Sequence, residues 1–576
     1  MVQILDDEVG DLQCAHADMV IKNDSRYNPG VLPIRALGIL APVSFAAAAL
    51  ILLPIFAVLV SLLAPATEVW THLAETALLS YVLNTGLLAI GVAFGVVSIG
   101  VLSAWLVSAY EFPGRRVLEW MLVLPFAMPA FVTAYAYTDW LQFSGPVQTA
   151  LRHATGWQSR EYWFPEIRSL PGAVAVLSFA LYPYVYLLAR AAFADTSRAA
   201  LEAGRLAGCG AWASFFRIAL PIARPAIVAG TALALMETLA DFGTVSYFAL
   251  EVFTTGIFKA WLSFGDPRAA AQLSACLLGL VALVLALERA SRGRASYAAP
   301  ARRPLPPQPL AGARAALAFA ACAAPVVAGF LLPAVLLVHL ALGDPAARPG
   351  PRLAALVANS FTLAAFAAAI GVALAVTMAY AARLARGRAA VAVTLANRTA
   401  SLGYAVPGAV IAVGILVPVA RLDHWLADLV EAASGAKSGL FLTGTAAALV
   451  YAYLVRFLAV ALQTVEAGLA AVTARMDDAA RSLGASPGRV LARVHAPLLA
   501  PSLGAAALLL FVDVLKELPA TFALRPFDFD TLAIEIYHLA KDERLAEAAV
   551  PSLVLVAVSV LPLVVLTRRA LRGVRR

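Results

Sequence analysis

The chain has 576 residues, of which 62% are hydrophobic and only 14% charged, and its mean hydropathy is +0.83. Soluble domains run at about half apolar and about a quarter charged, so a soluble chain of this length would lack the polar residues to cover several domains. The net charge of +8 does not point to nucleic acid, because the arginines stand in short clusters beside apolar runs, which is a membrane pattern.

Residues 1–35 carry Asp6, Asp7, Glu8 and Asp11 and no basic stretch leading into an apolar core, so they read as a polar cytoplasmic tail and not as a signal peptide. Crossing a bilayer takes about 20 apolar residues, and about twelve such runs follow. They lie near 38–63, 83–108, 118–139, 171–192, 225–249, 271–287, 313–342, 358–382, 400–420, 440–462, 500–524 and 549–567. With the N-terminus inside, roughly 30 basic residues fall on the cytoplasmic side and roughly a dozen outside, which puts both termini in the cytoplasm. An Arg-, Pro- and Ala-rich linker over 289–312 separates a first transmembrane domain, 36–288, from a second, 313–576. Six spans in each half give the halves the same orientation, so they are parallel repeats of an all-α membrane protein. Cys14, Cys209, Cys276 and Cys322 show neither metal nor disulfide spacing.

The repeat is visible residue by residue. A shift of 276 carries Gly208 onto Gly484 and Pro221 onto Pro497. The same register pairs Glu237 with Asp513, Asp241 with Glu517, Thr255 with Thr531, Asp266 with Asp542 and Arg268 with Arg544. Between the fourth and fifth span of each half lies a short helical run, ended by Gly208 or Gly484, since glycine tolerates the left-handed conformation at a helix C-terminus. A second short helix follows. Ser486 suits its N-cap and Pro487 its first position in the later copy. Trp212, Phe215, Phe216 and Ala219 give it an apolar face in the earlier one. Pro221 and Pro497 are expected to end it before the next span.

This arrangement resembles the EAA loop of ABC-importer permeases: Glu-Ala-Ala, three residues, Gly, nine residues, then Ile-x-Leu-Pro. Glu202, Ala203, Gly204, Gly208, Ile218 and Pro221 carry the first copy, with Gly204 for alanine. Asp478, Ala479, Ala480, Gly484, Val494 and Pro497 carry the second, with Asp478 for glutamate, Val494 for isoleucine and Ala496 for leucine. The stretches 236–245 and 516–521 are similar to the fused permeases of ferric-iron importers, and thiamine, polyamine or phosphonate permeases share much of the pattern. The resemblance implies a type I importer permease fold in a bacterial inner membrane. It also implies two ABC ATPase subunits docked on the two loops and a periplasmic solute-binding protein, for which the loop near 140–170 offers a resting place.

No Gly-x-x-x-x-Gly-Lys-Ser/Thr phosphate loop occurs in the chain. The expected protein is therefore not an enzyme and binds no cofactor itself. ATP and Mg would sit on the partner.

Four acids fall within membrane spans. Glu237 and Asp241 stand four apart, as do Asp513 and Glu517, so each pair is expected to share a helix face. Counted from Pro225, Glu237 lies roughly 18 Å and Asp241 roughly 24 Å along the span. A charge at such depth costs roughly 2.5–3.5 kcal/mol or more unless it is paired or wet. Two readings stand side by side. The acids line a translocation path suited to a hard cation, or they cap helix breaks, pair with Lys516 and hold a gate together. Gly243 and Pro519 at matching positions point to a break in each helix. Tyr182, Tyr184 and Tyr186 read as packing aromatics, and no residue set is assigned as a metal site. An ion-gradient-driven secondary transporter also has parallel six-span halves, but it leaves the duplicated loop unexplained.

Overall fold

In the computed structural model of the chain the described residues are 34–158, 161–195, 204, 206, 208, 210–292, 307–348, 350–435, 439 and 441–573. The tail, most of the linker, Glu202 and Ala203 lie outside them. Eleven helices among the described residues are long and apolar enough to cross a membrane. They are α1 Leu40–Leu63, α2 Leu78–Ala109, α3 Leu170–Ala194, α4 Trp212–Ala240, α5 Pro267–Ser291, α6 Gly312–Gly343, α7 Pro351–Leu384, α8 Gly408–Ser434, α9 Ala446–Ala470, α10 Pro487–Lys516 and α11 Leu545–Val564.

The pair Arg115–Ala127 and Ala130–Thr155 makes a twelfth if it counts as one span, and it is bent by 92°. The bend has a local cause. Pro129 has no N–H and drives the residue before it out of the helical region, and Met128 is extended at ψ 112°. The same Leu-x-x-Ala-x-Pro sequence recurs at 402–407, where Val406 is extended at ψ 124° and Pro407 caps α8.

Three of the long helices pass a proline by way of a π turn. Phe215–Ala219, Val327–Leu331 and Leu491–His495 are π turns, placed before Pro221, Pro333 and Pro497. A proline ring clashes with the carbonyl four residues back and donates no hydrogen bond. The wide turn moves that carbonyl aside and closes instead through Leu220 N–H to Phe215 C=O and Ala496 N–H to Leu491 C=O. The short helix of each EAA-like loop thus runs on into α4 or α10, which corrects the expectation that Pro221 and Pro497 separate them.

Packing divides the chain into two compact units, 1–60 with 360–529 and 61–359 with 530–576, each drawing on both sequence halves. In the first, α1 packs on α8 and on Gly387–Ser401, and α9 packs on α10. Here α9 is 72% buried over its most apolar stretch, against 28% for α1. So α9 has the protein-enclosed position and α1 an apolar face suited to lipid. In the second unit α2, α3 and α4 pack together, and α11 lies on Leu332–Gly343 and Leu532–Lys541. Gly91, Gly95 and Gly100 of α2 sit where a β-carbon would meet Val174, Ser178 and Val185 of α3, a small-residue seam that lets two backbones approach. A two-residue parallel pairing of Tyr110–Glu111 with Gln308–Pro309 ties the linker's end to the foot of α2. Leu310 N–H bonds Glu111 C=O at 2.8 Å.

Candidate functional site

The two EAA-like loops are built on one backbone device. Gly208 and Gly484 have φ of +79° and +77°, where a β-carbon would be strained. In the second loop Ala474–Ser482 closes with Ala485 N–H to Ala480 C=O at 3.1 Å and Gly484 N–H to Arg481 C=O at 2.9 Å, the paired bonds of a left-handed helix cap. Ser486 takes the N-cap position of the next helix with extended backbone, though its hydroxyl makes no capping bond.

The loops differ in how they are anchored. In the first, Phe215 packs inward against Trp105 and Phe193, at ring separations of 5.1 and 6.4 Å. Leu206 (91% exposed), Trp212 (76%) and Phe216 (57%) face outward, and the last two stack at 6.1 Å. Gly204 lies buried in a helix, and Ile218 is half-buried. The second loop is pinned by charge. Asp477 accepts from Arg383 Nε at 3.0 Å and lies 2.6 Å from His495 Nε2. Arg383 also donates to the carbonyls of Leu469 and Val472, and Tyr380 donates to the Pro487 carbonyl. Burial pushes the Asp477 carboxyl up, but the Arg383 and His495 hydrogen bonds outweigh it and hold the group below the usual range. Asp478, singled out by the motif, is exposed and pairs only locally with Arg481 at 2.6 Å. Ala479 is exposed beside it, Ala480 and Val494 half-buried. The sequence carried one signal for this anchor: His495 stands where the 276 shift puts Ala219.

The four membrane acids fall into two classes. Glu237 and Asp513 are half-buried in the last turns of α4 and α10. Asp241 and Glu517 stand just past those helices in extended conformation, ψ 133° and 120°, so neither shares a helix face with its neighbour four residues back. The break therefore comes two residues earlier than Gly243 and Pro519, which instead open the short helices Gly243–Tyr247 and Pro519–Leu524. Each acid caps the helix after its break. Asp241 accepts from Thr244 N–H (3.0 Å), Val245 N–H (3.2 Å) and Thr244 Oγ1 (3.2 Å). Glu517 accepts from Ala520 N–H (2.9 Å), Thr521 N–H (2.8 Å) and Thr521 Oγ1 (2.7 Å). Carboxylates suit such sites because first-turn N–H groups have no partner within the helix.

Sequence reading missed what surrounds these caps. Glu517 also meets Arg456 at 3.2 Å, with side chains 1% and 9% exposed. A β-carbon on Gly408 would lie 2.6 Å from Glu517 Oε1 and 2.7 Å from Arg456, so glycine makes room for the pair. At the first break, Tyr135 and Tyr247 stack edge-on at 4.5 Å, and Tyr537 reaches Ser246 at 2.8 Å. Arg168 lies over Tyr247 and pairs with Glu543 at 3.1 Å. A further carboxylate, Asp423, is fully buried and accepts four hydrogen bonds from the backbone N–H groups of Phe441, Leu442 and Thr443, tying α8 to the turn before α9. Tyr182, Tyr184 and Tyr186 do not converge: Tyr184 packs on Phe126 and Tyr186 donates to the Glu119 carbonyl. In the loop near 140–170, Trp157 stacks on Tyr162, Arg152 bonds the Tyr162 hydroxyl, and Trp163 is 86% exposed.

Residues 96–292 match the family of binding-protein-dependent transport system inner membrane components. The Fe(3+)-transport system permease protein FbpB 2 of Haemophilus influenzae is 26% identical over 495 residues, 85% of this chain and 90% of the relative. The sulfate transport system permease protein CysT of Escherichia coli is 27% identical over 33% of this chain and 67% of its own length. The molybdenum transport system permease protein ModB of Escherichia coli is 29% identical over 34% of this chain and 87% of its own length. Residues 96–292 thus resemble the binding-protein-dependent inner membrane components, and the span count and duplicated loop agree with a non-catalytic, multi-pass permease of an ABC importer.

Proposed function

We propose that this permease carries ferric iron across a bacterial inner membrane, with both termini cytoplasmic, and that its two coupling loops engage two copies of an ABC ATPase. One observation carries the substrate: the similarity to the ferric permease runs through both halves, whereas those to the sulfate and molybdenum permeases cover about a third of the chain. The chemistry of the first break agrees with it, since carboxylate and phenol oxygens suit a hard cation. The outward apolar patch of Leu206, Trp212 and Phe216 supports the ATPase contact, because stacked exposed aromatics are what a partner's cleft buries.

Vesicles loaded with the permease, its ATPase and its binding protein test the reading. Uptake of radioiron as ferric citrate, with sulfate, molybdate and thiamine not transported, is expected. Uptake of one of those and not of iron would reassign the solute. Trp212→Asp should keep the membrane-inserted protein while releasing the ATPase. Full transport by the permease alone under an ion gradient would overturn the ABC coupling.

A further inference from the structure

The two breaks are repeats, yet only one is electrically closed. At the second, Glu517 has three hydrogen-bond donors and the Arg456 guanidinium. At the first, the donors to Asp241 are all neutral, and no cation pairs with it among the described residues. The 276 shift puts Ala180 where Arg456 stands. A buried carboxylate without a counter-charge is costly, and the fold has kept it.

What lines the first break also differs. Tyr135, on Ala130–Leu141, is 3% exposed, and its hydroxyl is buried with no hydrogen-bond partner. Its ring meets that of Tyr247 edge-on at 4.5 Å, and Tyr537 reaches the neighbouring Ser246 at 2.8 Å. Tyr247 belongs to the short helix that Asp241 caps, and Tyr537 to Leu532–Lys541. All four residues lie in one compact unit. Matched through the Leu-x-x-Ala-x-Pro register, Tyr135 becomes Val413, and through the 276 shift Tyr247 becomes Ala523. The second break has neither counterpart, and its own phenol, Tyr453, is already bonded to Thr521 Oγ1 at 2.7 Å. Among the described residues no three His, Cys, Asp or Glu side chains gather into a metal site, so phenol oxygens are the additional donors at hand.

We infer that Asp241, with the phenols of Tyr135, Tyr247 and Tyr537, forms a station at which a hard trivalent cation binds in transit. This rests on the ferric reading above. The cation supplies the charge that Asp241 lacks and a partner for the idle Tyr135 oxygen. Coordination exchanges an O–H bond for an oxygen–metal bond and releases a proton to water. No electron moves, and the metal stays trivalent. Hard metal ions prefer such oxygen donors, and Ser246, bonded to Tyr537, orients one of them.

The test uses the purified full-length permease, titrated with ferric citrate, and the reconstituted importer. Bound ferric ion should show a visible phenolate charge-transfer band. Tyr135→Phe should lose most of that band and lower ferric uptake by roughly tenfold or more, as losing a ligand-shell group does. Its melting temperature should not fall, since the change deletes a hydroxyl that bonds nothing. Tyr182→Phe is the matched control: its phenol is also fully buried and unpartnered, but on α3, and it should change neither band nor uptake. No band in the wild type, or wild-type uptake in both Tyr135→Phe and Tyr247→Phe, would overturn the station and leave the ferric reading intact. A melting loss in Tyr135→Phe with normal uptake per folded molecule would also overturn it, by making the residue structural. Wild-type vesicles that move another solute and no iron would sink the ferric reading, and the station with it.

Discussion

The breaks after α4 and α10 stand in one repeat register and differ in how their charge is balanced. Both end a long helix at a carboxylate that turns back to cap the next short helix. At the second break that carboxylate meets an arginine in a dry site, with Gly408 leaving the space for it. At the first, the 278-residue register of the Leu-x-x-Ala-x-Pro repeat puts Ala130 at the glycine position, and phenols replace the cation. The capping geometry is therefore common to the two breaks, and the charge balance is where they differ. A self-neutralised break is suited to holding the fold, and an unneutralised one to meeting a charged solute. On the station proposed above, the gate reading suits the second break and the path reading the first.

The largest expected effect is at the second break. Arg456→Met leaves Glu517 buried without its counter-charge and should cost about 3–5 kcal/mol, read as a large fall in melting temperature of the detergent-solubilised protein. An unchanged melting curve would mean that the pair does not hold the break. Gly408→Ala should push the same pair apart and cost about 1–3 kcal/mol, as overpacking does. A larger residue at Ala130, where no ion pair needs the room, gives the comparison.

The coupling loops allow a parallel test. Asp477→Asn should cost about 1–3 kcal/mol, because Arg383 keeps its buried position and loses a charged acceptor. The pH dependence follows from the sign of the shift. Since folding lowers the Asp477 pKa, its stabilisation is complete above the ordinary aspartate value of about 3.9 and is lost as pH falls through the lower folded value. The melting gap between wild type and Asp477→Asn should thus persist down to the ordinary aspartate range and close below about pH 4. A gap that closes near pH 6 would mean that another group controls the anchor. The smallest effect is at the helix cap. Gly484→Ala forces a β-carbon into the left-handed region for about 1–2 kcal/mol, and ATPase stimulation by loaded binding protein should fall with it. Equal stimulation in Gly484→Ala and wild type would count against a coupling role for the second loop.

Much of this was legible in the sequence, and the limits have physical causes. Span positions followed from apolar runs, and the loops and acids from one constant register. Break positions came two residues late, because Gly243 and Pro519 start the new helices and the backbone leaves the old ones at Asp241 and Glu517. The prolines at 221 and 497 read as terminators because a π turn leaves no mark in the sequence. Arg456, Arg383 and Tyr135 were invisible since their partners lie 61, 94 and more than 100 residues away. The clues lay in register mismatches, His495 against Ala219 and Arg456 against Ala180, where a repeat that has lost its symmetry marks a position with a new partner.

The most direct measurement compares Asp241→Asn with Glu517→Gln, recording ferric uptake per folded molecule and melting temperature for each. Asp241→Asn can keep both backbone capping bonds on one carbonyl oxygen, since Thr244 and Val245 N–H both reach Asp241 Oδ1, whereas Glu517 takes Ala520 N–H on Oε1 and Thr521 N–H on Oε2, so Glu517→Gln keeps only one of them. The account predicts that Glu517→Gln loses stability first, since Arg456 stays buried beside a neutral group. Asp241→Asn should melt at or above the wild-type temperature and lose uptake. Equal stability losses with normal uptake in both would contradict the division of labour between the breaks and make both acids parts of one structural gate.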